Sequence, residues 1–315
     1  MDTSVLFCGV KFSNPTVLAS GILGVTASSL INVARHGAGG VTTKSVWYKE
    51  HAGHRNPVIV VGDHYMLNAV GLPDAGIEKT RVELPKLLKE SPSPVIVSIV
   101  ERSIADFEKI AEEVAKLKPP LIEVNISCPN VDDEFGKPFS CSTVEAGKVT
   151  RAVKKRVGKI PIIVKLSPNV TNIVEIARSV AHNGADAICA INTLGPGLMI
   201  DIEMRASVLS NGVGGISGPA IKPLAVRCVY DIHRATGLPI IGTGGVTTGR
   251  DAVEMMMAGA TLVGVGTAVH YRGIDVFKKI IQEIEDWCKK NNVKMVKNLV
   301  GILDSRSMKN VKLVS

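Results

Sequence analysis

Short apolar runs alternate with longer amphipathic stretches along almost the whole of this 315-residue chain. Runs rich in Val, Ile and Leu, bounded by Gly, Pro, Asn or Ser, predict strands over 16–19, 40–43, 94–100, 121–126, 160–166, 187–191, 239–242 and 261–265. Apolar residues recurring every three or four positions predict helices over 28–36, 77–89, 104–116, 143–157, 173–182, 219–236, 250–257 and 275–289. Gly37 stands where the first helix should stop, and Ser142 with Glu145 has the spacing of a capping box. Two short runs about Gly9 read as a hairpin ahead of the main fold, or alternatively as a frayed leader. Segments 44–76 and 192–217 look irregular, and loops of that length in a compact fold are usually functional.

Eight strands, each followed by a helix and with no break in composition, predict the α/β class. The expected form is a single (β/α)8 TIM barrel occupying 1–315 as one domain, with a short N-terminal hairpin and long loops inserted at its C-terminal mouth. The alternative is an open doubly wound sheet. That arrangement calls for a G-x-G-x-x-G turn after the first strand, which Ser20-Gly21-Ile22-Leu23-Gly24 does not supply.

Composition narrows the function classes. Hydrophobic content of 45% with only 4% aromatics suits helices packed on a sheet through aliphatic side chains. The net charge of +8 would allow nucleic acid, but Lys and Arg are scattered along the predicted helices; a small anionic ligand explains the charge equally well. The cysteines at 8, 128, 141, 189, 228 and 288 form no C-x-x-C pair or other metal spacing, and no secretory leader precedes them, so a reducing, cytoplasmic compartment is expected and no metal site. No apolar run approaches the roughly 20 residues of a membrane-spanning helix.

The chemistry gathers at strand ends. Ser20, Lys44, Ser98, Asn125, Lys165, Asn192, Gly244 and Gly266 all fall at the carboxyl ends of predicted strands, which in a barrel face one mouth. A lone strand-end lysine is ordinarily a solvated rim residue. Two lysines with two asparagines around one mouth suit an anionic, hydrogen-bonding ring. Cys128, in Asn125-Ile126-Ser127-Cys128-Pro129-Asn130, could be a buried structural cysteine, but its flanking amides and hydroxyl could also orient a polar ring beside a thiol. The turns Gly242-Thr243-Gly244-Gly245 and Gly264-Val265-Gly266-Thr267 follow the seventh and eighth strands, where barrels usually hold a phosphate. Met255-Met256-Met257 reads as helix packing.

These motifs, in this order, resemble those of the class 1 dihydroorotate dehydrogenases, closest to the NAD-linked type. The matching segments are Leu18-Ala19-Ser20-Gly21, Thr43-Lys44-Ser45, Met66-Leu67-Asn68-Ala69-Val70-Gly71-Leu72, the Cys128 hexapeptide, and Val164-Lys165-Leu166-Ser167-Pro168-Asn169. They continue through Ile191-Asn192-Thr193, Gly215-Ile216-Ser217-Gly218-Pro219-Ala220 and the two glycine turns. The resemblance implies one FMN per chain, contacted by Ser20, Lys44, Ser45, Ser98, Asn125, Lys165, Ile191, Gly218, Gly244, Gly245, Gly266 and Thr267. It implies dihydroorotate or orotate held by Lys44 with Asn68, Ala69, Val70, Gly71 and Leu72, and by Asn125, Asn130, Asn192 and Thr193. Cys128 is then the base that takes the C5 proton, under a loop over 131–140 that closes on the substrate. Lys165 lies at the flavin edge that gains negative charge.

Some positions depart from the family pattern. Ser98 stands where an asparagine is common, and Cys141-Ser142 near the point where Asp-Pro is common; the Cys141 thiol is a rival base, ranked below Cys128 because it lies far past the strand end. Within the family electrons leave to quinone, to fumarate, or to NAD through a second subunit carrying FAD and a 2Fe-2S cluster. The quinone type has an added N-terminal helical segment, whereas this sequence opens almost directly on its first strands. With no cluster spacing and no dinucleotide fingerprint, the expectation is a homodimer that needs a partner iron-sulfur flavoprotein to reach NAD. Two other readings stay open: a dihydropyrimidine dehydrogenase-like flavin enzyme, against which Lys44 and Asn130 argue, and a non-catalytic barrel binding a phosphorylated metabolite.

Overall fold

The computed structural model describes residues 1–127 and 139–303. Strands β1 (Val5–Phe7) and β2 (Val10–Phe12) form the N-terminal hairpin, and β3 (Thr16–Leu18) opens the main fold. The chain continues through α1 (Ala27–Arg35), β4 (Gly40–Thr42), β5 (Ile59–Val61), β6 (Met66–Asn68), α2 (Ile77–Glu90), β7 (Val95–Ile99), α3 (Ile104–Lys116) and β8 (Leu121–Asn125). After that come α4 (Thr143–Val157), β9 (Ile162–Leu166), α5 (Ile173–His182), β10 (Ala187–Ala190), β11 (Leu194–Gly197), β12 (Ile200–Asp201), β13 (Ala206–Ser207) and β14 (Gly214–Ser217). The last elements are α6 (Lys222–Thr236), β15 (Ile240–Thr243), α7 (Gly249–Met257), β16 (Leu262–Val265), α8 (Ala268–Arg272) and α9 (Val276–Lys290).

Eight of these strands close into a parallel barrel in the order β3-β4-β7-β8-β9-β10-β15-β16, as the strand-helix alternation predicts. Every residue of β7, β8 and β9 is buried, because side chains on one face fill the barrel and those on the other meet the helices. That double burial is why these strands appear in sequence as continuous apolar runs. The helices start where a short polar side chain can cap them: Thr26, Ser103, Ser142, Asn172 and Thr248 each accept a backbone N–H of the first turn. The expected box at Ser142 is half formed, since Glu145 turns to Lys148 at 2.9 Å instead of returning to the cap. A complete box occurs at Thr248 with Asp251. Met255 and Met256 of α7 are wholly buried.

The two segments that look irregular in sequence each carry short strands. They pair with each other as a four-stranded antiparallel sheet in the order β11-β14-β6-β5, with Asn68 opposite Gly215, while β12 and β13 form a small hairpin. Residues of this sheet stand beside those of the barrel's strand ends around one cavity, so the insertion builds a wall of the mouth.

Candidate active site

The cavity encloses about 1210 Å³ of empty space, part of it open to solvent. Barrel strand ends contribute Ser20, Lys44, Ser45, Asn125, Lys165, Ile191, Asn192, Gly244, Gly245, Gly266 and Thr267. The extra sheet and its flanks add Asn68, Val70, Gly71, Leu72, Thr193 and Gly218. The two lysines and two asparagines expected around one mouth are therefore brought together. Ala69 and Ser98 do not reach the cavity wall; both are wholly buried. Cys128, Asn130 and positions 131–138 lie outside the described residues.

Ser98 fails to reach the wall because of strand stagger. It pairs in register with Glu123, whereas Asn125, two residues further along β8, pairs with Lys165. The Ser98 hydroxyl sits below the site, donating to Glu123 Oε1 at 2.9 Å and lying 2.9 Å from the Ser45 hydroxyl. Asn125 Nδ2 donates to Ser45 Oγ at 3.1 Å, and Asn125 Oδ1 accepts the Ser127 hydroxyl at 3.0 Å. Asn192 Nδ2 donates to Ser127 Oγ at 2.9 Å, and its Oδ1 accepts the Thr193 N–H at 2.8 Å. Both asparagines are thus clamped before any ligand arrives.

Lys44 is half-buried, which pulls its ammonium below the ordinary lysine range; the Asp74 carboxylate opposes that fall. Asp74 is itself pushed up by burial, against the N–H groups of Trp47 (3.1 Å) and Gly76 (2.8 Å) and the charge of Lys44. It ties the segment that follows β4 to the start of α2. A second tie fixes Leu72, whose carbonyl accepts the Trp47 indole N–H at 2.9 Å while the indole stacks on His51 at 4.7 Å. Gly71, just before Leu72, has φ 72°, and a side chain there would press on the ring and backbone of His54. Glu101, after β7, accepts the Tyr48 N–H at 2.6 Å, and burial pushes its carboxyl up to about 7.

Sequence reasoning missed Asp74, Glu101 and Glu123. An acid inside the apolar run Leu121-Ile122-Glu123-Val124 is a readable signal of a polar layer inside the barrel. Asp74 and Glu101 carry no such signal.

At the far side of the cavity the two glycine turns present backbone without Cβ atoms. Gly245 has φ 73°, and a side chain there would meet the backbone of Lys222. Cys189 lies beneath them with Glu123, Lys165 and Thr243 nearby, and burial drives its thiol up to about 12, so it remains a thiol. None of the described cysteines is in a disulfide, and the described residues contain no cluster of three or more His, Cys, Asp or Glu that could hold a metal ion.

Residues 3–287 match the family described as dihydroorotate dehydrogenase. The chain is 44% identical over 302 residues to the "Dihydroorotate dehydrogenase B (NAD(+)), catalytic subunit" of Methanothermobacter thermautotrophicus, covering 96% of this chain and 98% of that protein. It is 42% identical over 298 residues to the protein of the same name from Methanocaldococcus jannaschii, covering 94% and 96% respectively. Among solved structures, DHODH from Eimeria tenella in complex with ferulenol superposes with a TM-score of 0.83 at 23% identity, over 96% of this chain and 88% of that one, a likeness of fold. With the match running through the barrel and the strand ends that build its mouth, the chain belongs to the dihydroorotate dehydrogenase family.

Proposed function

We propose that this chain, read as one domain, is the FMN-binding catalytic subunit of a dihydroorotate dehydrogenase, oxidising dihydroorotate to orotate in pyrimidine synthesis. The observation that carries the reading is the convergence of Lys44, Asn125, Lys165 and Asn192 with the two glycine turns on one cavity, in a chain of this family. The cavity fits a flavin nucleotide: Gly244, Gly245, Gly266 and Thr267 offer backbone for the phosphate, with Ser20, Ser45, Ile191 and Gly218 along the wall and Lys165 as a buried cation. When bound, FMN supplies the acceptor for the substrate's hydride.

In this reading Lys44 pairs with the substrate carboxylate, helped by the segment Asn68, Ala69, Val70, Gly71 and Leu72. Asn125, Asn192 and Thr193, with Asn130, bond the ring edges. Cys128 follows the buried Ser127 in the chain and takes the C5 proton; a thiol whose ordinary pKa is about 8.5 is a workable base near neutral pH beside cations. Lys165 favours negative charge at the ring system it faces. The relatives' name, a "catalytic subunit" working with NAD(+), supports a separate partner, which we take to be an iron-sulfur flavoprotein carrying FAD and a 2Fe-2S cluster. We further take the chain to be a cytoplasmic homodimer. In support of the dimer, Leu198, Ile200, Ile202 and Met204 of the β11–β13 region expose apolar side chains; no helix among the described residues is long and apolar enough to cross a membrane.

The test is the absorption spectrum of the purified protein before and after anaerobic addition of dihydroorotate. Bleaching of the flavin band is expected. An unchanged flavin spectrum in folded, FMN-containing protein would sink the reading.

A further inference from the structure

Leu72, on the cavity wall, has a backbone conformation that its own residue type disfavours. Its φ of 49° lies in the left-handed region, where a side chain crowds the following carbonyl. It also precedes Pro73, and a residue before proline is steered towards extended backbone, so leucine here goes against two preferences at once. Glycine meets the same demand at 71 without strain; at 72 the surroundings must hold the turn.

The holding group is Trp47. Its indole N–H donates to the Leu72 carbonyl at 2.9 Å, and the Leu72 side chain packs against the cluster of Trp47 and Val100. Among the described residues no other hydrogen bond reaches Leu72. The flanks are pinned separately: the Val70 carbonyl accepts the His54 N–H at 3.0 Å, and Asp74 exchanges two backbone hydrogen bonds of 2.9 Å with His51. Those bonds fix where the turn begins and ends and leave Gly71, Leu72 and Pro73 to span the gap. Trp47 can serve as an anchor because it is itself immobilised. It is buried, its backbone N–H donates to Asp74 Oδ1 at 3.1 Å, and its ring stacks on His51 with the Arg102 guanidinium 5.8 Å away. The turn matters to the cavity through its N–H groups. Gly71 and Leu72 both line the wall, and among the described residues neither N–H has an acceptor. Two unspent backbone donors on a wall shared with Lys44 suit a carboxylate.

We propose that Trp47, which does not line the cavity, is a positioning residue for the substrate carboxylate: by holding the Leu72 carbonyl it keeps the Gly71–Leu72 turn in the conformation that offers both N–H groups before substrate arrives. The inference rests on the proposed dihydroorotate site.

The FMN-loaded chain is compared with Trp47→Phe, which keeps an aromatic ring and lacks the N–H, by stopped-flow flavin reduction over a range of dihydroorotate concentrations and by orotate titration. Without its latch the turn is competent for only part of the time, which weakens apparent binding and leaves the reacting groups untouched. Half-saturating dihydroorotate and the orotate dissociation constant should each rise about five- to tenfold, the worth of one hydrogen bond. The limiting rate should stay within about twofold of wild type, as for a loss confined to binding, and FMN should be retained. A merely structural role would appear as a lower melting temperature and lost FMN, with half-saturation unmoved in the chains still loaded. Unmoved half-saturation, or a fall in the limiting rate alone, overturns the proposal. Should Trp47→Phe not fold, tryptophan at 47 is replaced by its benzothiophene isostere, which preserves the shape and deletes only the N–H; the same split is expected, and its absence overturns the proposal. If the unsubstituted, FMN-loaded chain is neither reduced by dihydroorotate nor binds orotate, the dihydroorotate reading fails and this inference with it, a failure distinguishable because it appears before any substitution.

Discussion

Glu101 offers a prediction whose size follows from the structure. Its side chain is 8% exposed and accepts the Tyr48 N–H, and burial holds its carboxyl at about 7 where 4.5 is ordinary. The folded chain thus binds this proton more tightly than the unfolded chain, so stability is fully present below about pH 4.5, falls as pH rises towards 7, and levels off above. The gap between the two values is on the order of 3 kcal/mol. Spread over 315 residues, whose unfolding entropy is about 2 cal/mol/K each, that is roughly 4–5 °C of melting temperature. Glu101→Gln keeps an acceptor for Tyr48 and removes the titration. Its melting temperature should match wild type near pH 5 and exceed it by about that margin near pH 8. The assay is a set of thermal melts of both proteins across that pH range. Parallel curves, with no divergence on the alkaline side, would show that Glu101 does not titrate in this window and that its burial is not felt as charge.

Three further outcomes are expected. Cys128→Ala should abolish flavin reduction by dihydroorotate while FMN stays bound, and Cys128→Ser should retain little activity, improving at high pH; stopped-flow reduction checks both, and loss in Cys141→Ala instead would reassign the base. Lys44→Ala should weaken orotate binding about 10- to 100-fold, the worth of a charge-assisted hydrogen bond, and wild-type affinity should fall as pH rises through the lowered Lys44 pKa, a limb absent from the variant; equal orotate titrations contradict the carboxylate role. The isolated chain should turn over dihydroorotate with an artificial dye but not with NAD, fumarate or a quinone, and rapid turnover with NAD or fumarate alone would reject the two-subunit arrangement.

Much of the barrel is legible in the sequence, for a physical reason. A strand buried on both faces must be apolar throughout, so β7, β8 and β9 stand out between helices whose polar faces break the pattern. The wall of the mouth is not legible. Its strands are two to four residues long, β14 carries two glycines, and Asn68 finds its partner Gly215 across almost half the chain, so no local periodicity marks them.

The site itself divides along the same line. Strand ends can be counted in sequence, and Lys44, Asn125, Lys165 and Asn192 do converge. Their heights cannot be counted, because adjacent barrel strands are staggered and equal distances from the strand end do not mean equal depth. Ser98 shows the effect: aligned with Glu123 instead of Asn125, it lies one layer below the cavity and contacts Ser45. A longer side chain at the same register would start from the same depth, beside Glu123 and Thr43, and would have to displace Ser45 to reach the wall. Reading which layer a strand-end residue occupies thus requires the partner in register, and the acid within β8 is the sequence feature that marks where the lower layer lies.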